Sequence, residues 1–370
     1  MKKIDYLEGL RGICCFIVII DHCINSYKPD LRFTGLSDFG GELRRIIAWT
    51  PLNFIYSGIA PVCIFFILSG FVLSLKFNKT QEREYILSGV IKRYPRLIIP
   101  VFCSMLFMYV VYFILSHYTE QDMNMSLSTA IVQALYLAPF EHTNLFNYAL
   151  WTISFEIYGS FLVFSLLAIF GNYKNKYYFY IGVFIFLYLN NSFYSLFVFG
   201  VILSDLYVNN KYKSSTWARL VTFIIGICLV TTPYQREGVE LNRGLYSYLS
   251  FFDNIDYKTL YQSCMLTGSM LLFYSICGSE FAQKFLDIKV FRYLGKISFP
   301  LYVLHASILT VIAWLLHNII EQITIADFCI AFIITVCICF VLSSLFEKYI
   351  DVPAIKLSNK LSKKLNGKHF

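Results

Sequence analysis

The sequence predicts an all-α, polytopic membrane protein of about ten transmembrane helices, with both termini cytoplasmic. Three observations carry that reading. Hydrophobic residues make up 57% of the chain and charged ones only 15%, too little polar surface for water-soluble domains of this length. Apolar runs of roughly 20 residues, the helix length that crosses a bilayer core with every backbone polar group paired internally, recur along the chain. Lysine and arginine gather in alternate connecting segments.

The run 9–27 opens the series. Lys2 and Lys3 ahead of an apolar stretch imitate a signal peptide, but Arg11, Asp21 and His22 interrupt or flank it and no clean cleavage site follows. It therefore reads as a retained first helix. Spans 53–75, 97–116 and 147–170 come next. The fifth and sixth, 177–190 and 192–208, are joined around Asn190, Asn191 and Ser192, either as a tight helical hairpin or as a break within one longer element. Spans 217–233, 259–278, 297–317 and 325–346 complete the ten. Segment 126–139 is too short to span comfortably and either lies at the outer interface or dips into the protein. Segment 281–296 alternates apolar and basic residues and is expected along the inner surface. No linker or low-complexity tract divides the chain, so residues 1–356 read as one membrane domain and 357–370 as a basic cytoplasmic tail.

With the N-terminus inside, every inner segment is basic, as in Lys76, Lys79, Arg83, Lys92, Arg93 and Arg96, or Lys284, Lys289, Arg292 and Lys296. The outer segments 117–146 and 318–324 contain neither lysine nor arginine. This asymmetry sets the orientation. It also accounts for a net charge of +8 without a nucleic-acid surface, so no nucleic-acid partner is expected. The eleven cysteines lie mostly inside apolar runs, with no CxxC pair and no Cys/His ligand spacing. They read as small buried side chains, and no metal is expected.

Arg11 and His22 stand eleven positions apart, which at about 100° per residue places them within roughly 20° of one helix face and about 16 Å apart along the axis. A cation near the inner end and an imidazole near the outer end suit a bound anion and a proton-transfer centre. The alternative is an arginine snorkelling to lipid phosphates and an ordinary interfacial histidine. In IKRYPRLIIP, Lys92, Arg93 and Arg96 lie at the membrane face, where they bind phosphates or simply flank a helix, and Pro95 argues against a regular helix there. In WTISFEIYG, Glu156 lies in the outer half of its helix, five residues after Trp151, and must face a polar cavity or a partner. It orients His22, accepts a proton, binds a sugar hydroxyl or makes a structural hydrogen bond. His305, within the ninth run, is a further site candidate. Ser69, without a nucleophile-elbow context, reads as helix packing. Trp49, Tyr148 and Trp151 either stack on sugars or anchor the interface.

Taken together, YLEGLRGICCFIVIIDHC, FFILSGFVLSL, KRYPRLIIP, WTISFEIYG, SFPLYVLHASIL and the terminal YIDVPAIKL resemble, in order over about residues 5–356, the acyltransferase 3 family of bacterial integral-membrane acyltransferases. Arg11 and His22 match that family's Arg, ten residues, His pattern in the first helix. Glu8 stands where an aspartate is often found, and Asp351 where a glutamate often is; both preserve charge. The resemblance implies transfer of an acyl group, often acetyl, from acetyl-CoA or another acyl-CoA to a hydroxyl of a polysaccharide or lipid-linked glycan outside the bacterial inner membrane. It implies that His22 is catalytic and that Arg11 serves donor binding or catalysis. The family's Arg-x-x-Arg falls on Arg93 and Arg96, and its Trp-to-Glu segment on Trp151 and Glu156. Many relatives carry an attached extracytoplasmic esterase-like domain, and this chain resembles the stand-alone form.

The expected mechanism combines these parts. Arg93, Arg96 and Arg11 hold the CoA phosphates on the inner side, His22 acts as general base or carries the acyl group transiently, and Glu156, Trp151 and His305 complete the site. A proton-coupled transporter or flippase is the competing class, since intramembrane His, Arg and Glu suit it too, although no duplicated half or matched pair of broken helices is visible. A membrane scaffold without chemistry is a third, in which His22 is dispensable.

Overall fold

A computed structural model describes residues 4–35, 40–119, 125–143, 145–209, 211–212 and 215–365. Lys2, Lys3, Lys213 and the last residues of the tail, including Lys368, lie outside the described residues. All regular structure among the described residues is helical. The helices are α1 (Asp5–Tyr27), α2 (Gly41–Ala48), α3 (Ile59–Thr80), α4 (Glu84–Thr119), α5 (Leu127–Val132), α6 (Ala138–Phe140), α7 (Trp151–Phe170) and α8 (Lys176–Leu189). They continue with α9 (Tyr194–Val208), α10 (Thr216–Val230), α11 (Tyr257–Gly278), α12 (Glu280–Leu286), α13 (Lys289–Ile319), α14 (Ile325–Phe346) and α15 (Val352–Leu365).

Each of the ten apolar runs is helical. Six helices, α3, α4, α7, α11, α13 and α14, are long and apolar enough to cross a membrane. Of the other four, α1 has 23 residues but includes Asp5, Glu8, Arg11 and Asp21, while α8, α9 and α10 have 14, 15 and 15, short of the roughly 20 that a full crossing takes. The junction at Asn190 is a true turn: Asn191 adopts a left-handed φ of 50°, a conformation asparagine tolerates better than most residues.

One expectation is corrected. Pro95 does not interrupt regular structure, since α4 runs through both Pro95 and Pro100; a missing N–H inside an apolar helix is tolerated where neighbouring groups re-satisfy the freed carbonyl. Segment 281–296 is divided between α12 and the first turns of the long helix α13. Segment 126–139 has one face packed in the protein, with Ala130, Gln133, Ala134 and Ala138 fully buried, while Leu127, Val132, Leu135 and Tyr136 are exposed.

Helix starts follow local chemistry. Ser215 and Asp256 accept from backbone N–H groups of the first turns of α10 and α11. Thr324 and Asp327 form a reciprocal capping box at α14, each side-chain oxygen accepting from the other's N–H at 3.2 and 2.9 Å. The four positions Ala331, Thr335, Cys339 and Ser343, one helical row, are buried, while Ile330, Ile333, Ile334, Val341 and Leu345 are exposed. Small polar groups inside and large aliphatic ones outside invert the pattern of a water-soluble helix and fit a lipid environment.

The chain folds into two compact units, one from residues 1–72 and 177–292, the other from 73–176 and 293–370. In the first, α3 and α9 touch backbone to backbone at two glycines. A Cβ on Gly70 would lie 2.1 Å from the carbonyl oxygen of Phe197, and one on Gly200 would lie 2.2 Å from that of Ile67. Ser69 therefore belongs to a packing seam. Phe66 and Phe197 stack beside it with ring centroids 5.1 Å apart. In the second unit α15 packs along α4, burying Ala354, Ser358 and Ser362 at every fourth position, with Ser362 donating to Ser88 at 3.0 Å.

Candidate active site

In the first unit the site is built on α1. Arg11 and His22 are both part-exposed, whereas Cys15 and Val18, between them on the same face, are 1% and 2% exposed. The helix thus presents two polar ends separated by a closed middle. Arg11 pairs with Glu8 one turn earlier, Nη1 to Oε1 at 3.1 Å, which is one of the acids in the first turn of α1.

At the other end, His22 stands beside a buried ion pair. Asp21 Oδ1 accepts from Arg32 Nη2 at 2.7 Å, and both side chains are 7% exposed. The same guanidinium donates to the carbonyl oxygens of Asp21 at 3.1 Å and Tyr56 at 3.3 Å and lies 4.5 Å above the Tyr56 ring. The second carboxylate oxygen of Asp21 accepts from Asn25 Nδ2 at 3.2 Å and lies 3.7 Å from His22 Nε2. Asn25 Oδ1 accepts from Arg236 at 2.6 Å. Room for the carboxylate depends on Gly58, where a Cβ would fall 2.6 Å from Oδ2.

In the second unit Glu156 is engaged by Arg93, which donates to its carboxylate and, at 3.3 Å, to its backbone oxygen. Arg96, three residues on, is exposed. Lys92 feels the positive charges of Lys76, Lys363 and Arg96, which gathers a basic surface from α3, α4 and α15. Tyr94 donates to the Leu135 carbonyl at 3.1 Å and stacks on Phe140. Trp151 meets Phe155 edge to face at 5.7 Å. His305 is wholly buried; its Nδ1 lies 3.1 Å from the Leu301 carbonyl oxygen, and Tyr148 meets its ring edge to face. Both Tyr302 and Asn147 tie α13 to the start of α7, Tyr302 donating to the Ala149 oxygen at 2.8 Å and Asn147 to the Val303 oxygen at 2.9 Å.

The structure thus brings Arg93 and Glu156 together within one unit, and holds Arg11 and His22 at opposite ends of one helix. It also reveals groups the sequence reading passed over. Asp21 entered only as an interruption of the apolar run and Arg32 only as an outer charge. The available signal was the cost of an ionised carboxylate inside such a run, which demands a cation. His142 contacts Ser154 through Nδ1 and lies tilted against Phe155 with centroids 4.5 Å apart. Burial pushes its imidazole below the ordinary value, against a smaller opposing pull from Glu141.

Residues 4–344 match the profile of the acyltransferase 3 family, described as an acyltransferase domain. The chain is also similar to the O-acetyltransferase PaAT-1 of Phomopsis amygdali, with 21% identity over 377 residues that cover 84% of this chain and 73% of the relative. No solved structure matches it.

Proposed function

We propose, for a chain that belongs to the acyltransferase 3 family, a membrane O-acyltransferase that moves an acetyl or other acyl group from cytoplasmic acyl-CoA to a hydroxyl of an extracytoplasmic glycan. The observation that carries this reading is a family match extending from residue 4 to 344, through all ten apolar helices. A relative named as an O-acetyltransferase supports oxygen as the acceptor atom and acetyl as the group. In this scheme His22 removes the proton of the acceptor hydroxyl while that oxygen attacks the thioester carbonyl. The carbon–sulfur bond then breaks, and the thiolate of CoA leaves and is reprotonated.

Other roles are distributed by environment. Arg96, exposed beside Lys92, suits the phosphates of the donor. Arg93 is committed to Glu156 and serves the donor only through the shape of that region. Arg11 remains assigned to the donor, with Glu8 setting its guanidinium. Trp151, packed against Phe155, offers a flat apolar face for a sugar, and His305, packed against Tyr148, is assigned to the acceptor side in the same unit. The bacterial inner membrane is the proposed location.

The test uses purified protein in lipid nanodiscs with acetyl-CoA labelled in the acetyl group and a glycan acceptor. Label is expected in the glycan with the parent protein and absent with His22→Ala. Full transfer by folded His22→Ala would overturn the assignment of His22. Unmodified glycan accumulating across a vesicle membrane, with no label transferred, would establish a carrier instead.

A further inference from the structure

The buried pair beside His22 is an unusual investment. Taking two opposite charges out of water costs several kcal/mol per ion, and their attraction offsets that cost only with close geometry and further hydrogen bonds. Asp21 and Arg32 meet both conditions, yet apolar side chains of similar volume would hold the turn at residues 29–32 against α1 as well. What apolar side chains cannot supply is a fixed negative charge. The carboxylate is held at one oxygen by Arg32 and at the other by Asn25, and that second oxygen is the one facing His22 Nε2 at 3.7 Å.

We infer that Asp21, clamped by Arg32, is the positioning residue for His22: it orients the imidazole and stabilises the imidazolium formed when His22 takes the acceptor's proton. The logic is that of a base oriented by a third group. The inference rests on the reading of His22 as the base. Arg32 binds Oδ1 at 2.7 Å, while Oδ2 is the oxygen 3.7 Å from the imidazole, so both the carboxylate and the Arg32 charge act on His22 and the test separates them. The charged and titratable groups facing this pair are Arg32 from the turn after α1, Arg236 through Asn25, Tyr56 from the turn before α3, and Tyr261 from α11.

The experiment measures kcat against pH, at saturating donor and acceptor, for the parent protein, Asp21→Asn, Arg32→Gln, the double variant and His22→Ala. A base must be neutral to act, so the acid limb reports the His22 imidazolium. Removing the carboxylate is expected to lower the plateau by roughly tenfold and to move the midpoint down by about one pH unit, the scale of an opposite charge at this range. Arg32→Gln, which leaves Asp21 without its cation, is expected to move the midpoint up. Where a single variant does not fold, the double variant decides, because it replaces the ion pair with neutral groups of similar shape; its midpoint is expected to fall. Midpoints of the folded variants that coincide with the parent's would reduce the pair to a structural tie and overturn the inference. Activity retained by His22→Ala would instead remove the reading on which it rests, whatever the midpoints do.

Discussion

Arg93 and Glu156, 63 positions apart in sequence, neutralise each other inside the second unit, with side chains only 10% and 19% exposed. Removing either partner leaves the other charge shielded from water. Glu156→Ala is therefore expected to lower stability by about 3–5 kcal/mol. The double variant Arg93→Met with Glu156→Leu should lose clearly less than the two single losses combined. Thermal unfolding in detergent micelles measures both, and simple additivity would contradict the pairing.

Arg96 provides the contrast on the same helix. Exposed on that helix, it is the arginine proposed to meet the donor. Arg96→Ala should raise KM for acyl-CoA by roughly tenfold, as expected for one charge-assisted hydrogen bond to phosphate, with kcat and melting temperature near the parent's. Initial rates over a range of donor concentrations decide it, and an unchanged KM removes Arg96 from the donor site.

The seam between α3 and α9 predicts a sharp positional effect. Gly70→Ala places a methyl group 2.1 Å from a backbone oxygen that cannot turn aside, so the helices must separate. Little folded protein is expected by size-exclusion chromatography. Gly182→Ala on α8, where nothing lies within 4 Å, should be neutral or slightly stabilising, since alanine favours the helix.

His142 gives a stability effect with a definite sign. Partial desolvation holds its folded-state value below that of the unfolded chain, and because the side chain is exposed solvent keeps the effect small. Its contribution is present above about pH 6.5, the ordinary histidine value, and is lost as pH falls below that point toward the folded value. Between pH 7 and 5 the parent's melting temperature should drop further than that of His142→Gln. Parallel curves would show that His142 does not contribute.

The sequence made the apolar helices legible because lipid imposes length and composition on each run independently of its neighbours. Even the turn at Asn191 could be read locally. The site was only half legible. Arg11 and His22 share a helix, so their relation follows from spacing alone. The partner of Arg93 lies 63 residues away, and no local pattern distinguishes a committed arginine from its exposed neighbour Arg96. Arg32 was similarly hidden: eleven positions beyond Asp21, it looks like an outer-loop charge until the chain turns back at residues 29–32. Pro95 did not break its helix, because the rule weighs only the local loss of one N–H, whereas the packing of the whole helix decides the outcome.

The hydrogen bond between Ser88 and Ser362, 274 positions apart, also orders events during synthesis. Helix α4 is made early, but the small-residue face that covers it belongs to residues 352–365. For most of translation that flank of α4 has no cover. A chain cut before α15 would leave that flank of α4 without its protein cover.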